Sequence, residues 1–168
     1  SKGYYKDVAP TEVDSYFRNT IVCGDVHDQN ATLMGGIAGH AGLFSTANDL
    51  AILLQMNLQM GYYAGKKYFE PWTIPIFTTP QSVENRRGMG WDKPITGTEE
   101  GPTSKFASAS TFGHTGFTGA AIWADPAEEL VFVFLCNRTY PDSSNFKLIE
   151  ENIRTRIQDM VYQSILEP

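Results

Sequence analysis

The eight residues LVFVFLCN, Leu130 to Asn137, limit what this chain can fold into more than any other stretch. A strand with one wet face alternates apolar and polar side chains; this one is apolar on both faces and needs a cover on each. Phe117 to Ala124 reads as a strand just before it and DPAEE as the turn between, so the pair is expected to form an antiparallel hairpin.

Helices are the natural covers, and two are signalled. Ser45 or Thr46 starts the first, with Asp49 in capping-box position to Thr46; it should run from about Ala47 to Met60 and stop at Gly61. Leu50, Leu53, Leu54 and Leu58 give it an apolar face, which makes it a core helix. The second is a long C-terminal helix capped by Ser143 or Ser144. Phe146, Ile149, Ile153, Ile157, Met160, Val161 and Ile165 recur along it at helical spacing, and it should lie against the sheet.

Elsewhere the pattern is looser. Ser1 to Asn30 reads as irregular connecting structure, with APTEVDSYF forming a capped turn or short helix after Pro10. Between Tyr62 and Ser110, Pro71, Pro75, Pro80, Pro94 and Pro102 divide the chain into short pieces, with RRGMGWDKP the best candidate for a strand. This region is expected to carry loops around a cleft.

Composition removes some functions. The 168 residues, 42% of them hydrophobic, can bury one core, so one domain or a large piece of one is expected. A net charge of −6 with 13 dispersed basic residues argues against a nucleic-acid surface. No apolar run reaches the length of a membrane span, SKGYYKDVAP is neither a signal peptide nor an anchor, and the chain is expected to be soluble. Cys23 and Cys136 permit at most one disulfide and do not decide the redox compartment.

One stretch stands out as chemistry. FGHTGFTG, Phe112 to Gly119, sets glycines that permit close backbone approach beside an imidazole and two hydroxyls, a composition suited to a cleft wall. Taken in order, GGIAGHAGLFSTANDLAILLQM, GMGWD and FGHTGFTGAAIWADPAEELVFVFLCNR resemble the C-terminal portion of the serine β-lactamase and penicillin-binding-protein-like hydrolases, in the esterase-related branch near class C. The resemblance covers about Ala9 to Tyr162. APTEVDSYFR, GDVHDQNA and HTGFTG are most similar to the β-lactamase-like domain attached to family 3 glycoside hydrolases.

The resemblance implies an α+β fold: the late strands of an antiparallel sheet with the C-terminal helix packed on it, plus part of the helical region. It implies that residues 1–168 form one partial domain, whose N-terminal part with the Ser-x-x-Lys nucleophile is missing. His114, Thr115 and Gly116 match the third catalytic element, with His in place of the commoner Lys, and the Phe117 backbone N–H is the expected oxyanion donor. A fragment of a serine hydrolase follows, inactive alone, whose parent acts on an amide, ester or peptidoglycan-type acyl substrate. No cofactor and no metal are implied, and a periplasmic or exported parent is. The face once covered by the missing part should be covered by it or by self-association. The alternative is a non-catalytic binding or structural module, for example one that stacks Trp72, Trp91 and Trp123 on glycans beside a glycoside hydrolase.

Several apparent motifs carry less. Ser144-Asn145-Phe146-Lys147 is a literal Ser-x-x-Lys, but it follows the His-Thr-Gly element and reads as a helix N-cap. His27, Asp28 and His40 lack metal-ligand spacing and are expected to brace loops; Cys23 in its apolar stretch is expected to be an inert thiol.

Overall fold

The computed structural model describes residues 7–95 and 101–166. Its centre is a three-stranded antiparallel sheet in the order β5 (Phe112–Thr115), β6 (Ala121–Asp125), β7 (Leu130–Phe134). Both faces are covered. Helix α2 (Ala47–Leu58) lies on one, where Leu54 and Leu58 pack with Phe112, Ile122, Ala124, Val131 and Val133. Helix α5 (Ile153–Leu166) lies on the other, where Ile157 and Val161 meet Ala121, Trp123, Phe132 and Phe134. Successive residues of β6 and β7 thus alternate between two dry interfaces, as the doubly apolar LVFVF required.

Helix α2 begins as its sequence indicates: Thr46 Oγ1 accepts from the Asp49 N–H at 3.2 Å. It ends by reversing through Met60 and Gly61, both at positive φ, and the Gly61 N–H donates to Met56 O. Leu50 and Leu54 are buried, whereas Leu53 stays partly exposed at the rim of the predicted face.

Three expectations outside the FGHTGFTG stretch need correction. Ser1 to Asn30 is not irregular where described, and no helix follows Pro10. Instead β1 (Pro10–Asp14) and β2 (Thr20–Cys23) pair antiparallel, and α1 (Gln29–Leu33) follows, capped by Asp28. The turn of this hairpin closes on Asp14, whose carboxylate accepts from the backbone N–H groups of Tyr16, Phe17 and Arg18 and from Arg18 Nε. The strand expected at RRGMGWDKP is reduced to a single bridge between Asp92 and Gly113, after the minor hairpin β3 (Tyr62–Tyr63) and β4 (Lys66–Lys67) and helix α3 (Thr73–Thr78).

The third correction is at the C-terminus, where the long helix is two. Helix α4 (Lys147–Glu150) ends at Glu151, Asn152 takes φ 50°, and α5 starts anew. Ser143 and Ser144 cap neither. Asp142 Oδ1 accepts from the Ser144 N–H, and Asn145 Oδ1 accepts from the Lys147 N–H. Helix α5 nonetheless lies against the sheet as expected.

The chain's first strand is tied to its last third. Asn137 Nδ2 donates to the carbonyls of Pro10 and Thr11, and Thr139 Oγ1 donates to Thr11 O at 2.7 Å. Among the described residues no helix is long and apolar enough to cross a membrane.

Candidate functional site

The FGHTGFTG stretch is strand β5 and the turn that follows it. The predicted strand Phe117 to Ala124 is therefore corrected: its first residues form the turn, closed by Gly116 N–H to Ala120 O at 2.7 Å and Gly119 N–H to Gly116 O at 3.0 Å. Strand β5 pairs with β6 on one side and is an edge on the other. Gly113 exchanges two hydrogen bonds across that edge with Asp92, at 2.7 and 3.1 Å, so its N–H and C=O point outward. By the two-residue period those of Thr115 point outward as well; Phe117 lies in the turn, where the Gly116 carbonyl is taken by the Gly119 N–H and the Phe117 N–H of that trans peptide points the other way. Asp92 closes the edge at one point and leaves it open from Thr115 onward. Among the described residues the Phe117 N–H has no acceptor.

Gly113 is required here by space. A Cβ would lie 2.0 Å from Ile122 O and 2.5 Å from the Trp123 ring. His114 sits opposite Ile122 on the face covered by α2. Its Nδ1 is 2.8 Å from Thr115 O. A carbonyl only accepts, so Nδ1 bears the proton, and in the neutral ring Nε2 keeps its lone pair.

Phe117 is exposed, at 62%, yet held. Its ring stacks on His27, with centroids 5.0 Å apart, and the Arg138 guanidinium lies 4.5 Å from its centre. Arg138 Nε donates to Phe117 O at 2.9 Å, and the Arg138 backbone N–H donates to Thr118 O at 2.8 Å. His27 Nδ1 lies 2.9 Å from Glu12 Oε2, out of line for a hydrogen bond, and Glu12 is paired with Arg18. Burial pushes the Cys136 thiol up, against the opposing pull of Arg154 and Arg138.

The β-lactamase family profile matches residues 4–154. The chain belongs to the β-lactamase family. Among its relatives, an N-acetylmuramyl-L-alanine amidase of Bacillus subtilis (strain 168) is 38% identical over 73% of this chain and 28% of its own length. A provisionally named D-alanyl-D-alanine carboxypeptidase of Escherichia coli (strain K12) is 37% identical over 73% of this chain and 29% of its own. The chain thus spans less than a third of these curated relatives. The crystal structure of a β-lactamase from Mycobacterium bovis matches in fold, with TM-score 0.58 and 24% identity, over 74% of this chain and 46% of that one.

In this β-lactamase-family chain His114, Thr115, Gly116 and Phe117 lie together along one strand edge and its turn. The other sequence candidates lie apart. Asp28 caps α1 and holds His40 Nε2 at 3.1 Å, and the Cys23 thiol donates to Val8 O rather than meeting His27. Ser144 lies in the turn before α4. Trp123 is 1% exposed and offers no sugar-stacking face, Trp91 is partly buried and packs at a steep angle to Phe112, and Trp72 is the most exposed of the three. Among the described residues no three His, Cys, Asp or Glu side chains are placed to hold a metal.

Two residues at the site were not singled out by sequence. Asp92 is buried, gripped by Arg86 at 2.8 Å, and closes the β5 edge. Arg138 is 6% exposed. Its signal was the polar triplet Asn137-Arg138-Thr139 directly after an apolar strand, where solvated residues would ordinarily be read.

Proposed function

We propose that this segment is the C-terminal part of an acyl-serine hydrolase domain and forms one wall of its cleft. The observation that carries the reading is the open edge of β5 at Thr115 continued by the turn, whose Phe117 N–H has no acceptor among the described residues. A tetrahedral intermediate puts negative charge on the former carbonyl oxygen, and a preorganised N–H aimed at that oxygen stabilises it. An extended acyl substrate laid along the edge would pair with Thr115 and present its carbonyl to Phe117. His114 would orient the substrate and exchange a proton through Nε2.

The serine that attacks, its lysine and the second oxyanion donor would come from the preceding part of the full-length protein, so the segment alone would not turn over. Exposed Ile21, Leu33, Met34, Ile37 and Leu43 suit a face that this part, or a second copy, would cover. The names of the carboxypeptidase and amidase relatives support a peptidoglycan-type amide as substrate and an exported parent. APTEVDSYFR, GDVHDQNA and HTGFTG support a parent that also carries a family 3 glycoside hydrolase.

The test treats the longest natural reading frame containing this segment, and the segment beside it, with a fluorescent penicillin and a chromogenic acyl ester, followed by intact mass. A covalent adduct on the long form alone is expected. No adduct and no ester turnover in either would overturn the reading and favour a binding module.

A further inference from the structure

We propose that Arg138 is a positioning residue for this reaction, fixing the direction of the Phe117 N–H; the assignment rests on the serine-hydrolase reading above. The N–H direction is set by the plane of the Gly116–Phe117 peptide and by what restrains the atoms on either side. On the near side the Gly116 carbonyl accepts from Gly119 N–H at 3.0 Å, and in a trans peptide the Phe117 N–H points the opposite way. On the far side the His27 ring stacks on Phe117, but among the described residues the only hydrogen bonds to the carbonyls of Phe117 and Thr118 come from Arg138. Arg138 supplies that restraint.

It does so through three separate contacts. Nε donates to Phe117 O, the backbone N–H donates to Thr118 O, and the guanidinium plane lies against the Phe117 ring. The arginine is held in turn: Nη1 donates to Ser143 O at 2.8 Å and Asn145 O at 3.2 Å, and Phe146 packs its ring 4.5 Å from the guanidinium carbon. Its neighbours Asn137 and Thr139 are fastened to β1. Among the described residues Nη2 has no hydrogen-bond partner, so the side chain's grip on Phe117 depends on Nε and on the guanidinium over the ring together. A lysine has neither the fork nor the plane.

The test uses the longest natural reading frame containing this segment, as wild type, Arg138→Gln, Arg138→Lys and Phe117→Leu. The last keeps the backbone and guards against a glutamine variant that fails to fold. Two readouts are taken. The first is the 15N order parameter of the backbone amide at position 117, read under selective phenylalanine labelling, or under selective leucine labelling in the Phe117→Leu protein. It is expected at about 0.85 in wild type and below about 0.6 in the Arg138 variants. The second is turnover of the chromogenic ester. Arg138→Gln and Arg138→Lys should each lower kcat about a hundredfold with KM changed less than about twofold, and Phe117→Leu should lower it about tenfold.

Unchanged order parameters, or a Lys variant with wild-type kcat, would overturn the assignment, the latter because charge alone would then suffice. If wild type is inert toward the ester, the serine-hydrolase reading falls, and with it the catalytic part of the assignment; the order parameters still decide whether Arg138 holds the turn.

Discussion

The phenol of Tyr162 on α5 donates a 2.7 Å hydrogen bond to Asp125 Oδ2 at the end of β6, and both residues are 1% exposed. The same carboxylate accepts from the Ser108 N–H and hydroxyl and from the Ala127 N–H. One buried charge thereby joins the sheet, its hairpin turn, the preceding loop and the C-terminal helix. Buried charges persist only when their acceptor positions are filled, as these are.

The first prediction concerns this junction. Burial pushes the Asp125 carboxyl up, but the Ser108 and Tyr162 hydrogen bonds outweigh it and hold the group below its ordinary value; burial and then Asp125 push the Tyr162 phenol well above its own. The Asp125 contribution is present above the unfolded carboxyl value of about 4 and lost as pH falls through the lower folded value; that of Tyr162 is present below its unfolded value of about 10 and lost above. Tyr162→Phe should cost about 1.5–3 kcal/mol at pH 7 and raise the pH of acid unfolding. Urea titrations of both proteins from pH 3 to 8 check this.

Asp14 gives a second. The Phe17 N–H, then the Arg18 side chain, hold its carboxyl well below the usual range, so the hairpin turn keeps its form as pH falls through about 4 and loosens only below. Amide shifts of Tyr16, Phe17 and Arg18 should be flat from pH 7 to 4. In Asp14→Ala the three amides should move at all pH values toward solvent-exposed positions.

A third follows from Gly113. Its hydrogen has no room to become a methyl group against the Ile122 carbonyl, so Gly113→Ala must part β5 from β6 or displace Trp123. A loss of about 3 kcal/mol is expected, at the upper end for overpacking. A urea midpoint within error of wild type would count against the register drawn for this strand.

The fourth bears on His114. If Nε2 moves a proton, His114→Ala in the longer protein should lower ester turnover about 10²–10⁴-fold while the fold is kept. An alanine variant within twofold of wild type would leave the imidazole a structural role only.

What was legible in the sequence was what obeyed period and punctuation. Helix α2 carried both its signals, Thr46 and Gly61, and β7 announced its two covers through unbroken apolarity. Strand β1 did not, because its inward residues are Thr11, Glu12 and Asp14, buried through Arg18, Asn137 and Thr139, most of them distant in sequence. Local pattern rules count such residues as solvated. The break at Asn152 was hidden because the apolar spacing continues across it. At the site, the motif indicated the strand and its glycines, whereas the residues that grip it, Asp92 and Arg138, belong to other elements and reach it only in three dimensions.

The fastening of Asn137 and Thr139 to Pro10 and Thr11 also orders events in time. The partners are 126 to 128 residues apart, and closing so long a loop costs ~4 kcal/mol of chain entropy by logarithmic scaling. As this segment leaves the ribosome, β1 and β2 pair with one another well before Asn137 and Thr139 are made. Glu12 and Asp14 find Arg18 locally, but Thr11 waits without its partners until the polar triplet after β7 is synthesised. Strand β1 is therefore secured only after β7 is complete, and a nascent chain halted before Asn137 would display that hairpin unfastened.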